Sequence, residues 1–437
     1  MYTADVQGFL KFVQASPSAF HAVAAAVKLL EEKGFAPLKE RDSWQLVPGG
    51  KYYVTRNLSS LIAFIVPTGG QGLFRIVASH SDSPVFKLKP QAESPAAEKY
   101  LRLNVERYGG MIMSTWLDRP LSIAGRVLVR DGERIVTKLV DLGRDAVLIP
   151  NQPIHFCRDI NDGFKFNPQV DLLPIYGDAE DKGALMREVA AACGADAEKI
   201  VGSDLFLYTR IPGTVWGAKG QFFSSPRIDD LECAYTSLVA FADAPVGEAH
   251  VNVYALFDNE EVGSRTKQGA ASTFLRDVMT RTAAALGADE SAARGLISRS
   301  FMVSADNAHA VHPNHPEKFD AENRTFMNGG VVVKSNANQA YTTDGVSQAI
   351  FAEICAKANV PVQYFANRSD VPGGSTLGNI ANTQVSMNTV DIGLAQLAMH
   401  SSYETAGVSD IPHMIRALAA YYAARLDVMA DGEYELV

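Results

Sequence analysis

Three apolar runs in this chain stop in side chains that bind cations or move protons. "RIVASHSD" ends in His80 and Asp82, "VYALFDNEE" in Glu260 and Glu261, and "FMVSADNAH" in Asp306 and His309. Each run reads as a buried strand, and in open α/β sheets ligands bind just beyond the carboxyl ends of strands. Two further residues have a fitting setting: Asp229 in "SPRIDDL", at a helix start, and His400 in "LAQLAMHSS". Any one of them alone is more simply a hydrogen-bonded histidine or a solvated acid. Several delivered to one edge would make a metal site, because adjacent carboxylates are costly to confine without a positive partner.

Imidazole and carboxylate ligands without thiolates suit Zn²⁺, with Mn²⁺ or Co²⁺ as alternatives. Such a set can hold two ions roughly 3.5–4 Å apart with one carboxylate bridging them. Glu260 and Glu261 then divide the work, one ligating and the other taking a proton from water. Asp82, two residues beyond His80, is placed to accept the imidazole N–H and fix its tautomer. "HAVHPNH" carries three histidines, but His312 and His315 flank Pro313 in a loop and read as structural.

The elements that must position these residues follow from periodicity. Helical spacing near the N-terminus gives two helices, broken at "ASPSAF" and ended by Gly34. From about Lys87 to Gly220 the texture is mostly β, with "GRVLVRDGERIVTKLV" a hairpin turning at Asp131-Gly132. Thereafter helices and strands alternate. "DDLECAYTSLVAFAD", "SRTKQGAASTFLRDVMTRTAAALG" and "DGVSQAIFAEICAKAN" read as helices, and "HMIRALAAYYAARLDVMA" as a closing one. The expected fold is α/β, a mostly parallel central sheet flanked by helices, interrupted by an inserted mostly β unit. Residues 1–87 and 221–437 form the first part and 88–220 the insertion.

At 437 residues the chain exceeds one ordinary core. Its 47% hydrophobic and 20% charged residues are those of a globular protein, and a net charge of −9 argues against a nucleic-acid or anionic-membrane binder. Four scattered cysteines without a CxxC pair, no basic-then-apolar leader and no run long enough to span a bilayer point to the cytoplasm.

Taken in order, "ASHSDSP", "PRIDDL", "FDNEEVGS", "SADNAHAVHPNH", "RSDVPGGSTLG" and "DIGLAQLAMHSSYE" resemble the aspartyl aminopeptidase family of di-metal exopeptidases, of bacterial type. The resemblance covers nearly the whole chain. It implies that His80 and Glu261 bind one metal, Asp306 and His400 the other, and that Asp229 bridges them, with Glu260 as general base. It further implies substrate contacts from His309, Lys334 and Tyr341, with Lys334 pairing an acidic side chain. His155 in "PIHF" would reach a neighbouring subunit's site within a tetrahedral dodecamer whose inserted domain makes dimer contacts. The implied activity is removal of an N-terminal Asp or Glu from peptides with a free amine. One departure is Phe319 in "EKFD", where relatives often carry histidine. A di-metal amidohydrolase or deacylase, and a non-catalytic assembly protein, are the alternatives to test against.

Overall fold

The computed structural model describes residues 3–70 and 72–437. Its main sheet runs in the order Ala36–Pro37, Lys51–Arg56, Ser60–Ile65, His250–Phe257, Leu73–His80, Phe301–Ala305, Asn388–Gly393, Val331–Ser335 and Val362–Ala366. The four middle strands, from His250–Phe257 to Asn388–Gly393, are parallel to one another. Every residue of His250–Phe257, Leu73–His80 and Phe301–Ala305 is buried. This is the run-on hydrophobic texture of strands covered on both faces.

Two cores account for that texture. On one face Val77 and Tyr254 pack with Phe9, Leu30, Leu238 and Leu418, carried by helices Thr3–Gln14, Ala19–Glu32, Ile228–Ala242 and Asp410–Ala423. On the other, Ile76 and Ala78 pack with Phe274, Val278, Ala293 and Leu377 from Phe274–Ala285, Glu290–Ser298 and Leu377–Asn382. Alternate residues of one strand thus feed opposite cores, as the twofold pleat requires. The buried tyrosines do not leave orphan hydroxyls: Tyr254, Tyr421 and Tyr422 donate to the carbonyls of Ala234, Phe301 and Val253. Since the middle strands are parallel, their carboxyl ends share one edge, and there the polar residues collect.

A second, antiparallel sheet is built from strands between Val85 and Thr209. Ile200–Thr209 pairs with both Val85–Ala96 and Pro120–Asp131, so the sheet closes on itself around Phe86, Leu103, Ile123 and Leu207. Closure leaves Arg134–Asp141, which among the described residues pairs only with Pro120–Asp131, as the edge strand of this sheet. The hairpin at Pro120–Asp131 and Arg134–Asp141 forms as expected, shifted by one residue: Asp131 pairs with Arg134, and Gly132-Glu133 make the turn.

Two expected helices are shorter than their patterns. Of "SRTKQGAASTFLRDVMTRTAAALG" only Phe274–Ala285 is helical. Upstream, Thr266 and Gln268 donate to the Asn259 side chain, and the Gln268 carbonyl accepts from Ser60 Oγ and the Asp258 N–H. These bonds, the one from Ser60 being long-range, hold the segment as a loop against the polar strand ends, overriding local propensity. The final helix stops at Ala423, and Leu426–Ala430 pairs with Glu433–Leu436 across Asp431-Gly432. The Asp-Gly hairpin signal read at Asp131 was present there too.

At the sheet edge Gly393 permits a close approach: a Cβ there would lie 2.0 Å from the Asp306 carbonyl oxygen. Gly393→Ala is expected to push the 305–307 segment outward and to cost about 1–3 kcal/mol. A denaturation midpoint equal to that of the unmodified protein would show that the approach is not constraining.

Candidate metal centre

Asp229 lies between two histidines. Its Oδ1 is 3.4 Å from His80 Nε2, and its Oδ2 is 3.4 Å from His400 Nε2. His400 Nε2 also lies 3.3 Å from Glu261 Oε2. Ligand-type atoms of His80, Asp229, Asp230 and Asp306 cluster within 4.8 Å of one another, as do those of Asp229, Glu261 and His400. The two clusters share Asp229. The grouping differs from the one that the resemblance implied: His80 stands with Asp306, and His400 with Glu261. Asp230 joins the first cluster unforeseen.

Each side chain is delivered by an identifiable element. His80 closes its strand, and Asp306 follows Phe301–Ala305 directly. Glu260 and Glu261 open a single 3₁₀ turn after Asn259, which adopts φ 62°, a conformation asparagine tolerates. His400, at φ 68°, sits in the loop between Ala395–Leu397 and Glu404–Gly407.

Two further carboxylates clamp this arrangement through backbone amides. Asp82 accepts the N–H groups of Glu260 and Glu261, at 3.1 and 3.2 Å. Its expected bond to His80 is made instead by its backbone carbonyl, 3.1 Å from His80 Nδ1, with the carboxylate at 3.5 Å. Glu404 does the matching work opposite. Its Oε2 accepts from Ile228 N and Asp229 N, at 2.7 and 3.1 Å, and its Oε1 from His400 N at 2.7 Å. Sequence reasoning missed Glu404 as well as Asp230. The doubled acid "DD" was the available signal for Asp230, since "EE" had been read that way; nothing local marks Glu404.

Burial sets the electrostatics. It pushes Glu260 up to about 8, with the carboxylates of Asp306, Asp82 and Asp229 adding to it and His80 opposing. Burial, then Asp229, raises Glu261 well above its ordinary range. For Asp229 burial is outweighed by His400 and His80, which hold its carboxyl below the usual range. Burial would lower His400, but Asp229 beside it raises it to about 9.

Around the centre opens a cleft of about 680 Å³, lined also by His309, Lys334, Tyr341, Phe365, Ser375 and Thr376. Lys334 is buried, not a solvated surface lysine, and its ammonium donates to the carbonyls of Asp306 and Asn307 at 2.7 and 3.3 Å. It lies 3.7 Å from the Asp306 carboxylate and over the Tyr341 ring. Burial and Lys334 lower the pKa of His309, favouring a neutral ring able to donate one N–H. His155 is not part of this cleft; it is exposed in the turn around Pro153–Cys157.

The residues fit a metal. The carboxylate oxygens Asp229 Oδ1, Asp230 Oδ1 and Glu261 Oε1 are buried without a hydrogen-bond partner. Orphaned anionic oxygens of this kind call for a cation. The donor set is imidazole and carboxylate, as borderline divalent ions prefer.

The family model described as "Aminopeptidase I zinc metalloprotease (M18)" matches residues 12–422. The chain belongs to the M18 peptidases. It is a metallo-aminopeptidase, a hydrolase. A relative described as "Probable M18 family aminopeptidase 2", from Clostridium acetobutylicum, is 46% identical over 421 residues, covering 94% of this chain and 97% of its own. One of the same description from Pseudomonas aeruginosa strain UCBPP-PA14 is 40% identical, with 96% and 98% covered. Among solved structures, a chain of the Ape4 and Nbr1 complex superposes with a TM-score of 0.93 at 35% identity, over 96% of this chain and 86% of that one. The S. cerevisiae mApe1 dodecamer matches at 0.85 and 28%, over 95% and 96%. Along the M18 chain, among the described residues, no helix is long and apolar enough to cross a membrane.

In the chelated M18 protein these shifts set a pH dependence. Glu260 at about 8 and Glu404, raised by burial to about 8, stand above the ordinary carboxylate value of about 4.3. They therefore favour the folded state increasingly as pH falls through 8. His400, raised to about 9, stabilises fully below about 6.5 and loses that contribution as pH rises through 9. Both act in one direction, and Asp229's depressed carboxyl acts only below this window. Chelator-treated protein is expected to melt higher at about pH 6.5 than at about pH 9; the opposite order in calorimetry would contradict this electrostatic picture.

Proposed function

We propose that this M18 protein removes acidic residues, Asp or Glu, from the free N-termini of peptides, using two divalent ions per subunit that share Asp229. The observation that carries the reading is the pair of clusters joined at Asp229, with Glu260 beside them and bonded to neither imidazole. His80 and Asp306 would hold one ion, Glu261 and His400 the other. Zinc is the first choice, and manganese or cobalt the alternatives, on the chemistry of the donors. When bound, such ions polarise the scissile carbonyl and bring the pKa of water toward neutrality.

The chain's own residues supply the remaining steps. Glu260, half-buried beside both clusters, is suited to take the attacking water's proton and pass it to the leaving amine. His309, neutral at the cleft wall, is placed to donate an N–H to the oxyanion. Lys334 and Tyr341 line the cleft and would be the groups that meet a substrate side chain. Lys334 has its charge partly met by Asp306, so it would bind an acidic side chain as a second partner.

We further infer a homo-oligomer, a tetrahedral dodecamer in which residues 88–220 form the inserted contact domain and His155 enters a neighbour's site. In support, Phe156 and Ile154, flanking His155, are large apolar side chains left 84% and 48% exposed in the single chain, a liability unless another subunit covers them. The four cysteines are free, which fits a cytoplasmic location.

Glu260→Gln is expected to retain metal and lose about 10²–10⁴-fold in turnover, the range of a single acid–base group. A fully active, metal-replete variant would remove Glu260 from the mechanism. Aminoacyl-p-nitroanilides with acidic, neutral, basic and N-acetylated members test the substrate. Chelator-sensitive cleavage confined to free-amine Asp and Glu members is expected. Equal rates on neutral residues would discard the acidic preference, and cleavage of N-acetylated members would discard the requirement for a free amine.

A further inference from the structure

The Glu260–Glu261 turn is held by Asp82, and Asp82 is itself held from the other sheet. Tyr108 is the last residue of the antiparallel strand Tyr100–Tyr108, where it pairs with Val85. Its hydroxyl donates to Asp82 Oδ2 at 2.6 Å and accepts from Asn259 Nδ2 at 2.8 Å. Both of its hydrogen-bonding capacities are therefore spent on residues that shape the turn. Asp82 receives the Glu260 and Glu261 amides, and Asn259 is the left-handed residue from which the turn starts. The Asn259 side-chain oxygen is anchored in turn by Thr266 and Gln268.

The chain continues past Tyr108 against the same turn. Gly109, at φ 75°, lies so close that a Cβ on it would stand 3.1 Å from Glu261 Cβ. The Ile112 amide then donates to the His400 carbonyl. The antiparallel sheet thus presents a rigid strand end to the half of the centre that contains Glu261 and His400.

We propose that Tyr108 is a positioning residue for the proposed reaction: its hydroxyl orients the Asp82 carboxylate and the Asn259 amide, and through them aims Glu260 at the water it must deprotonate. The competing assignment is packing alone, since the Tyr108 ring also meets Phe206 edge-on at 6.0 Å. The proposal rests on reading Glu260 as the base. An unrestrained Asp82 would remain a hydrogen-bond acceptor but would sample other rotamers, and the turn amides would follow it. The effect falls on turnover rather than on substrate binding, because Tyr108 is not among the residues lining the cleft.

Two substitutions in the full-length, metal-loaded protein separate these roles. Tyr108→Phe keeps the ring and removes the hydroxyl; Phe206→Leu removes the packing partner and keeps it. Tyr108→Phe is expected to lower kcat about 10- to 100-fold, the range for groups that orient a metal site from outside, with KM changed less than about threefold and metal content unchanged. Phe206→Leu is expected to lower the melting temperature while kcat stays near the parental value. Full kcat in Tyr108→Phe would overturn the proposal, as would loss of metal with unchanged turnover per bound ion. Glu260→Gln measured alongside keeps the two readings apart: full activity there removes the base itself, whereas a dead Glu260→Gln with an active Tyr108→Phe removes only the positioning role.

Discussion

The fold is organised around an electrostatic problem: Asp229, Asp230, Glu260, Glu261 and Asp306 are confined near His80 at one sheet edge. Burial raises four of these five carboxyls, and only Asp229, flanked by both imidazoles, goes down. Desolvating like charges in one place is unfavourable by several kcal/mol per group unless cations and hydrogen bonds answer it. Such a cluster survives only on a scaffold whose stability comes from elsewhere. The two apolar cores on either face of the main sheet provide that stability, and the shared edge of its parallel strands supplies the geometry.

Backbone amides do most of the holding. Glu404 joins the Asp229 segment to the His400 loop, and Asp82 gathers the Glu260–Glu261 turn. In both cases a buried carboxylate accepts N–H groups of residues that carry the chemistry, leaving the functional side chains free to face the cleft. Buried amide-to-carboxyl bonds of this kind are costly to leave unmade, at about 1–3 kcal/mol for each orphaned group. Loops that would otherwise sample many conformations are thereby tied to the rigid strands. Gly393 contributes by omission, since the Asp306 carbonyl occupies the space its side chain would need.

Much of this was legible before any coordinates. Mostly apolar runs ending in His80, Glu260–Glu261 and Asp306 mark both the strands and the edge where they terminate, because burial on both faces admits few polar residues before the strand exits. What stayed hidden depended on long-range contacts. Ser264–Thr273 reads as part of a helix yet is pinned as a loop by bonds to nearby Asn259 and to Ser60, a partner distant in sequence. Glu404 looks like an ordinary acid in its neighbourhood; only the meeting of its own loop with the Ile228–Asp229 segment makes it a clamp. The pairing of histidines with carboxylates was likewise not a local property. It depends on which oxygen of Asp229 faces which ring, a matter of angles set by strand order.

The cleft's charge bears on the substrate in a way single residues do not. Asp229, Glu260, Glu261 and Asp306 line it, against the one lysine Lys334. Without metal the space is strongly anionic and would repel an acidic side chain. Two divalent cations would offset most of that negative charge and loosen the claim of Asp306 on the Lys334 ammonium, in a buried setting where an electrostatic interaction is stronger than at the surface. On our reading the metals therefore have a second consequence beyond activating water. They would turn Lys334 from a counter-ion of Asp306 alone into a group able to pair a substrate carboxylate, so that acidic preference and metal loading would rise together rather than independently.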